Sequence, residues 1–263
     1  MAAAVAGAVR CADPLMARRF PAWTRTNYHG QAVTLTGGLA AALGSLVGTA
    51  TGTAGATRRA ALLAATAAAV AGAYDDVVAS RSESAEDKGL RGHFAALWDG
   101  RVSGGVVKVL VIGSASALSA VMLTSGPGRW RVLRAGLRAL VIAESANMIN
   151  LLDLRPGRAG KVVTASSLGL LGGPSGSVAA AGLGATVAVL ADDLSERTML
   201  GDCGANALGA LLGVRLAAAG DLPVTIAATA LGMLTLASER WSFNAVIDSC
   251  RPLRAADRIG RRA

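Results

Sequence analysis

The chain has 263 residues, of which 52% are hydrophobic and only 16% are charged, and its mean hydropathy is +0.47. This composition is far more apolar than that of ordinary soluble domains, so it indicates a membrane protein and leaves a soluble Ala-rich α/β domain as the weaker alternative. The formal net charge of +9 is not accompanied by any nucleic-acid-binding module, and the scattered Cys11, Cys203 and Cys250 give neither a disulfide framework nor a zinc site.

Residues 1–32 are predicted to form a cytoplasmic N-terminal segment. The apolar stretch before Arg10 has about nine residues, whereas a membrane-spanning helix needs about 20. The stretch is therefore no anchor by itself, and an incomplete first helix is an open alternative. A signal peptide is not predicted, because the apolar core is too short and no soluble domain follows it.

Eight apolar windows follow within residues 33–238. They predict an all-α fold, a polytopic transmembrane helical bundle of about eight spans within a range of seven to nine. Several windows are shorter than about 20 residues, and the fifth is expected to be either a short span or a half-helix buried in protein. In chain order the windows are 33–53, 59–74, 105–124, 132–152, 161–173, 176–191, 199–219 and 222–238.

Lys and Arg residues are distributed unevenly between the alternate connections of these windows. Of the 26 in the chain, 19 fall on the side of the N-terminus and 7 on the other side, when Lys108 and other residues inside windows are assigned to the nearer end. Because cytoplasmic loops are rich in Lys and Arg, both termini are predicted to be cytoplasmic.

Six aspartates occur at window ends that this topology places on the cytoplasmic side, while Glu144 lies within a span. A single carboxylate at a helix end is most simply a solvated cap. Several carboxylates at one low-dielectric face repel one another unless a cation compensates them, so the set predicts a partner ion. Mg²⁺ fits, because it takes oxygen ligands and bridges Asp residues to substrate phosphates. The six are Asp75, Asp76, Asp153, Asp192, Asp193 and Asp202.

Basic residues lie near these acids in the sequence, and we expect them to contact phosphate oxygens. Acids that hold a metal beside bases that bind phosphate predict phosphoryl transfer to or from a substrate partly embedded in lipid. The basic residues are Lys88, Arg91, Arg155, Arg158 and Lys161.

Short sequence blocks carry most of these residues. They are "NYHGQAVTLTGG" (27–38), "GAYDDVV" (72–78), "KGLRGHFAAL" (88–97), "NMINLLDLRPGRAGK" (147–161) and "MLGDCGANALGALLG" (199–213). Over roughly residues 25 to 215 they resemble the motifs of the polyprenyl-phosphate N-acetylhexosamine-1-phosphate transferases, a family that includes phospho-N-acetylmuramoyl-pentapeptide translocase of peptidoglycan synthesis. The second block is similar to the G-x-x-D-D signature, and the last two are similar to the N-x-x-D-G-x-D-G and M-G-D-x-G-S-x-x-L-G blocks.

The resemblance implies a bundle with a cytoplasmic-face active-site cleft in the bacterial cytoplasmic (inner) membrane, with residues 33–238 as the transferase-like domain. A polyprenyl phosphate would attack the β-phosphate of a UDP-sugar with the help of Mg²⁺. The products would be a polyprenyl-diphosphate-sugar and UMP, for cell-envelope glycan synthesis. A homodimer or an envelope-assembly protein is an open further partner, and no nucleic acid is expected.

Carried over position by position, the resemblance assigns Asp75, Asp76, Asp153 and Asp202 as catalytic residues. Asp202 would be the principal metal ligand, while Asp75 and Asp76 would orient the lipid phosphate or coordinate the metal. Asn150 and Asp153 would face the donor diphosphate. The substrate-binding set is Asn27, His29, Lys88, Asn147, Asn150, Arg155, Arg158, Lys161 and Asn206.

Three features depart from the family pattern. Pro156 replaces the second Asp of its block, Ala205 followed by Asn206 replaces a Ser, and the chain has only His29 and His93, so the family's His-rich loop is missing. These departures leave the donor sugar open and favour an alternative, a catalytically degenerate member that binds polyprenyl phosphate as a scaffold or regulator in envelope assembly. An ion-coupled transporter is a weaker third alternative, because no inverted repeat is evident.

Residues 239–263 are predicted to form a cytoplasmic basic amphipathic tail. Trp241, Phe243, Val246 and Ile247 lie among basic residues there. This pattern fits an interfacial helix on an anionic leaflet, or a contact with a partner protein.

Overall fold

The computed structural model describes residues 1–11, 23–27, 29–77 and 104–261. That part of the chain contains eleven helices and one two-stranded antiparallel hairpin, so the prediction of a helical protein is confirmed. The helices are α1 (Ala2–Cys11), α2 (Thr36–Gly52), α3 (Gly55–Val77), α4 (Gly104–Leu123), α5 (Trp130–Leu152), α6 (Arg158–Gly169), α7 (Gly176–Leu194), α8 (Gly201–Ala217), α9 (Asp221–Ser238), α10 (Phe243–Ser249) and α11 (Arg251–Arg258). The strands are β1 (Thr24–Thr26) and β2 (Ala32–Thr34).

Helices α2 to α9 coincide with the eight apolar windows of the sequence. Among the described residues, four helices are long and apolar enough to cross a membrane, namely α3, α4 from Gly105 onward, α7 and α9. Helix α6 has only 12 residues. At 1.5 Å per residue it is about 18 Å long, which is less than the roughly 30 Å of a bilayer core.

Helix α8 lies at the centre of the bundle. Fourteen of its 17 residues are buried, and it packs most extensively against α3 and α5. A helix that is apolar or small on every side is suited to such a buried position. Small residues let the neighbours approach closely, since a Cβ at Gly209 would lie 2.5 Å from the carbonyl oxygen of Ser145 on α5.

The end of α3 touches the beginning of α8 at Gly72. A Cβ at this position would lie 2.2 Å from the carbonyl oxygen of Asp202 and 2.6 Å from the amide nitrogen of Cys203. Only glycine allows the two backbones to meet at this distance. The contact brings the last turn of α3, which carries Asp75 and Asp76, against the first turn of α8.

The hairpin β1–β2 lies beside the same end of α8. In its register, Arg25 pairs with Val33. The amide of Met199, in the connection between α7 and α8, donates to the carbonyl oxygen of Thr34 at 2.9 Å. Strand β2 is thereby held next to the N-terminus of α8.

The apolar N-terminal stretch forms the short helix α1, which packs against α2 and α7. Its buried residues include Ala2 and Ala6. With ten residues, α1 is about 15 Å long, shorter than a bilayer core.

We expect Gly72→Ala to lower the stability of the bundle by about 1–3 kcal/mol or more, because the added methyl group overlaps the backbone of α8. Thermal unfolding of the purified protein in detergent, followed by circular dichroism, measures the change. The matched control is Gly136→Ala in α5, where no atom lies within 4 Å of the added Cβ. If both variants unfold at the same midpoint temperature, α3 and α8 do not pack as closely at Gly72 as the structure shows.

Candidate functional site

The carboxylate of Asp76 caps the N-terminus of α8 from the neighbouring helix α3. Its Oδ1 accepts from the amide of Asp202 at 3.1 Å, and its Oδ2 accepts from the amide of Cys203 at 2.9 Å. The first amides of a helix have no partner within the helix, and its N-terminus carries partial positive charge. Asp76, only 6% exposed, therefore has a structural role in placing α8.

Asp153 approaches the same helix end from the C-terminus of α5, where it accepts the amide hydrogen of Gly201. Burial, with the nearby charges of Asp193 and Asp202, raises the pKa of Asp153 well above its usual range, although the bond from Gly201 opposes the shift. Asp76 adds to the repulsion. Carboxylates from the ends of α3, α5 and α8 therefore lie close together around the first turn of α8.

Lys108 of α4 binds the two remaining acids of the predicted catalytic set. Its Nζ donates to Oδ2 of Asp202 and, at 3.4 Å, to Oδ2 of Asp75. When the side-chain amide of Asn150 is oriented to satisfy both Lys108 and Asp202, its oxygen accepts from Nζ of Lys108 at 3.1 Å and its nitrogen donates to Oδ1 of Asp202 at 2.9 Å. We call Asp75, Lys108, Asn150 and Asp202 the Lys108 cluster; it joins α3, α4, α5 and α8.

Lys108 entered the predictions from sequence only as a marker of topology and was missed as a site residue. The signal was present, because a lysine inside an apolar window is costly unless it has a partner within the bundle. Arg25 was missed as well. It donates from Nη2 to the backbone carbonyl of Asp76, and so holds the hairpin against the end of α3.

Asn27 and His29, both predicted to bind substrate, contact Glu196 in the connection between α7 and α8. Asn27 donates from Nδ2 to Oε2 of Glu196, and Nδ1 of His29 lies 2.8 Å from Oε1. Glu196 has a φ of 57°, which is uncommon for a residue other than glycine. These contacts with Glu196 hold the hairpin against the connection between α7 and α8.

The C-terminal segment, residues 239–261, is contacted by three residues that were predicted to bind phosphate, namely Arg155, Arg158 and Lys161. Arg155 binds both carboxylate oxygens of Asp248, at 2.8 and 2.6 Å. Arg158 binds both oxygens of Asp257, at 2.7 and 3.3 Å. The Nζ of Lys161 donates to carbonyl oxygens near the end of α11, including that of Asp257 at 2.6 Å.

The two other predicted asparagines also have defined neighbours. Asn206 is fully buried and donates from Nδ2 to the carbonyl oxygen of Asp202 at 2.7 Å. Asn147 donates to Oγ1 of Thr235 at 3.3 Å, and Thr235 donates to Glu144. Lys88 falls outside the described residues, as do Arg91 and His93.

A cleft that is open to solvent extends from the Lys108 cluster between α4, α5 and α9. Its volume is about 1200 Å³, including the solvent-filled space at its mouth. Asp75, Lys108 and Asn150 line its charged end. Its walls combine apolar and polar side chains, which are Val109, Ile112, Ala143, Leu151, Glu144, Asn147, Asn206, Thr235, Ser238 and Glu239. Such a cleft suits an amphiphile with a charged head, because charged and apolar side chains both line it.

The predicted metal ligands are not arranged as three carboxylates around one point. Asp76 is bonded to the amides of α8, whereas Asp75 and Asp202 face Lys108. Within the described ranges, no group of three or more His, Cys, Asp or Glu side chains is placed to hold a metal ion.

Comparisons with known proteins add no relative. No protein-family model matches the sequence, and neither the curated proteins nor the solved structures include a match. The interpretation of the site therefore depends on its own geometry and on the motifs.

We expect Asp76→Ala to reduce the free energy of unfolding by about 1–3 kcal/mol, because two buried amides of α8 lose their acceptor. The matched control is Asp248→Ala, which breaks an ion pair whose aspartate side chain is 47% exposed. Because exposed ion pairs contribute little to stability, this variant should unfold almost like the unaltered protein. Thermal unfolding in detergent compares them. A smaller loss for Asp76→Ala than for Asp248→Ala would contradict the capping role.

The docking of α11 should depend on pH through Asp257. Burial opposes ionisation, but the bonds from Arg158 and the charge of Arg261 outweigh it and lower the pKa of Asp257. A lowered pKa means that the docked state binds fewer protons, so the contribution is complete above the ordinary value of about 3.9 and disappears as the pH falls through the lowered value.

Hydrogen exchange across residues 251–258, corrected for the intrinsic rate at each pH, measures this docking. Protection should be constant from about pH 8 to 5 and decline below about pH 4. Asp257→Asn should be less protected throughout and should lack the acid-dependent step. A step of the same size in that variant would assign it to another group.

Proposed function

We propose that this chain is an integral-membrane transferase that moves a sugar-1-phosphate from a UDP-sugar to polyprenyl phosphate, releasing UMP. The observation that carries the proposal is the Lys108 cluster. It joins Asp75, Asn150 and Asp202, which belong to three separate motif blocks, at the charged end of a cleft with partly apolar walls. An acceptor with a phosphate head and a prenyl tail has the chemistry that such a cleft accommodates.

The proposal includes the topology expected from the sequence. The bundle would have about eight spans in the bacterial cytoplasmic membrane, with both termini and the charged end of the cleft on the cytoplasmic side. The uneven distribution of Lys and Arg supports this orientation. The cytoplasmic donor and the membrane-bound acceptor could then meet at the first turn of α8.

The donor atoms of the cluster fit Mg²⁺. The carboxylates of Asp75 and Asp202 and the amide oxygen of Asn150 are hard oxygen ligands, and Mg²⁺ is usually bound by one or two carboxylates together with substrate phosphates. Bound there, the ion would neutralise charge on the donor diphosphate. Asp76 and Asp153 would contribute by fixing the first turn of α8, and with it Asp202.

In the transfer, a phosphate oxygen of the lipid forms a bond to the β-phosphorus of the donor, and the bond from that phosphorus to the oxygen bridging it to UMP breaks. The lipid phosphate is largely ionised near neutral pH, so no general base is assigned. Lys108 would stabilise negative charge on the phosphates, and the cleft would align the acceptor.

A specific observation favours the second candidate, a degenerate family member that binds polyprenyl phosphate as a scaffold or regulator. Arg155 and Arg158, expected to bind phosphate, are paired with Asp248 and Asp257. An enzyme would need other groups, or movement of the C-terminal segment, to bind the donor nucleotide.

The test is UMP release by purified protein from a panel of UDP-sugars with undecaprenyl or decaprenyl phosphate and Mg²⁺. We expect Asp202→Asn to lower the rate about a hundredfold or more, because it removes charge at the metal and phosphate site. The matched control is Asp221→Asn, which alters a carboxylate paired with Arg138 instead and should keep most of the activity. Lipid binding without UMP release across the panel would favour the scaffold.

A further inference from the structure

Lys108 already occupies the position that a divalent cation would need. Its ammonium has three N–H donors. The cluster presents three acceptors to it, namely Asp75 Oδ2 at 3.4 Å, Asn150 Oδ1 at 3.1 Å and Asp202 Oδ2. The side chain of Lys108 is only 16% exposed, so the ammonium is largely removed from solvent and saturated by these oxygens.

The same three oxygens are the hard ligands of the cluster. Two cations at the same oxygens would repel each other strongly in a poorly hydrated site. A divalent ion can therefore bind Asp75 and Asp202 only if Lys108 releases them. Two carboxylates against one ammonium leave a net negative charge, which favours the entry of a cation.

Asn206 supplies an independent indication that the cleft receives a ligand. Its side chain is fully buried and lines the cleft, and among the described residues no group hydrogen-bonds to its Oδ1. A buried amide oxygen without a partner costs free energy unless a ligand, ion or water completes it. This oxygen lies one helical turn after Asp202, since Nδ2 of Asn206 bonds to the Asp202 carbonyl.

We propose that Lys108 is an exchangeable internal counter-ion, which gives up Asp75 and Asp202 to a divalent cation and turns into the cleft to bind an anionic phosphate. The direction of release follows from its position, because Val109 and Ile112 of the same helix line the cleft and the lysine stem is flexible. The inference builds on the proposed function only in assuming that the cluster binds a divalent cation. It does not require transfer of a sugar phosphate.

Coupling between the two ligands follows from the exchange. A cation that frees Lys108 improves the site for phosphate, and by thermodynamic linkage phosphate must improve the site for the cation by the same factor. The cluster would thus bind the two together more tightly than either one alone.

Mn²⁺ binding measured by electron paramagnetic resonance tests the exchange without any nucleotide. We expect Lys108→Met to bind Mn²⁺ about tenfold or more tightly than the wild type, because a competing charge-assisted bond is removed. Lys108→Arg keeps a competing cation and should bind like the wild type, while Lys108→Met combined with Asp202→Asn should lose the gain. Unchanged or weaker binding in Lys108→Met, or no binding in any form, overturns the proposal.

A measurement on the unaltered protein tests the exchange even if the Lys108 variants fail to fold. Mg²⁺ should increase the reaction of the Lys108 amine with an acylating reagent, quantified by mass spectrometry, whereas Lys161, bonded to backbone carbonyls of the C-terminal segment, should not change. A lower or constant reactivity of Lys108 contradicts the exchange. These outcomes are independent of UMP release, so the transferase can fail its assay while the exchange stands, and the reverse also holds.

Discussion

The interaction on which the site depends is the capping of a buried helix end by carboxylates from other helices. The first turn of α8 is largely buried, so its amides depend on acceptors from the protein. Asp76 accepts two of these hydrogen bonds and Asp153 accepts a third. An uncapped helix end in this position would carry the full cost of unsatisfied donors. The caps therefore fix α8, and α8 carries Asp202.

Side chains of opposite charge also lie beside that helix end and compensate one another. Lys108 comes from α4, which is one of the apolar helices able to span a membrane. Its ammonium compensates one of the two charges of Asp75 and Asp202. Neither the acids nor the lysine would be stable alone at this largely buried position, since an isolated charge removed from solvent is costly. Because the acids and the lysine need each other, side chains from four helices meet at this small set of polar atoms.

Much of the fold could be predicted from the sequence, because apolar segments long enough to form buried helices are visible as windows. The gathering of Asp75, Asp153 and Asp202 was also predictable, since they lie at window ends on one predicted side. The partners of these groups were not. Arg158 pairs with Asp257, 99 positions away, and no local pattern distinguishes that pairing from a contact with phosphate. The hairpin was missed because its strands have three residues each and lack alternating apolar side chains.

The adjacent pair at the end of α3 serves two different neighbours. Successive side chains on a helix point about 100° apart, so Asp75 can face Lys108 while Asp76 faces the amides of α8. One inserted or deleted residue between Gly72 and this pair would turn both carboxylates away from their partners together. The last turn of α3 should therefore tolerate changes in length far less well than the Ala-rich body of the helix tolerates changes in composition.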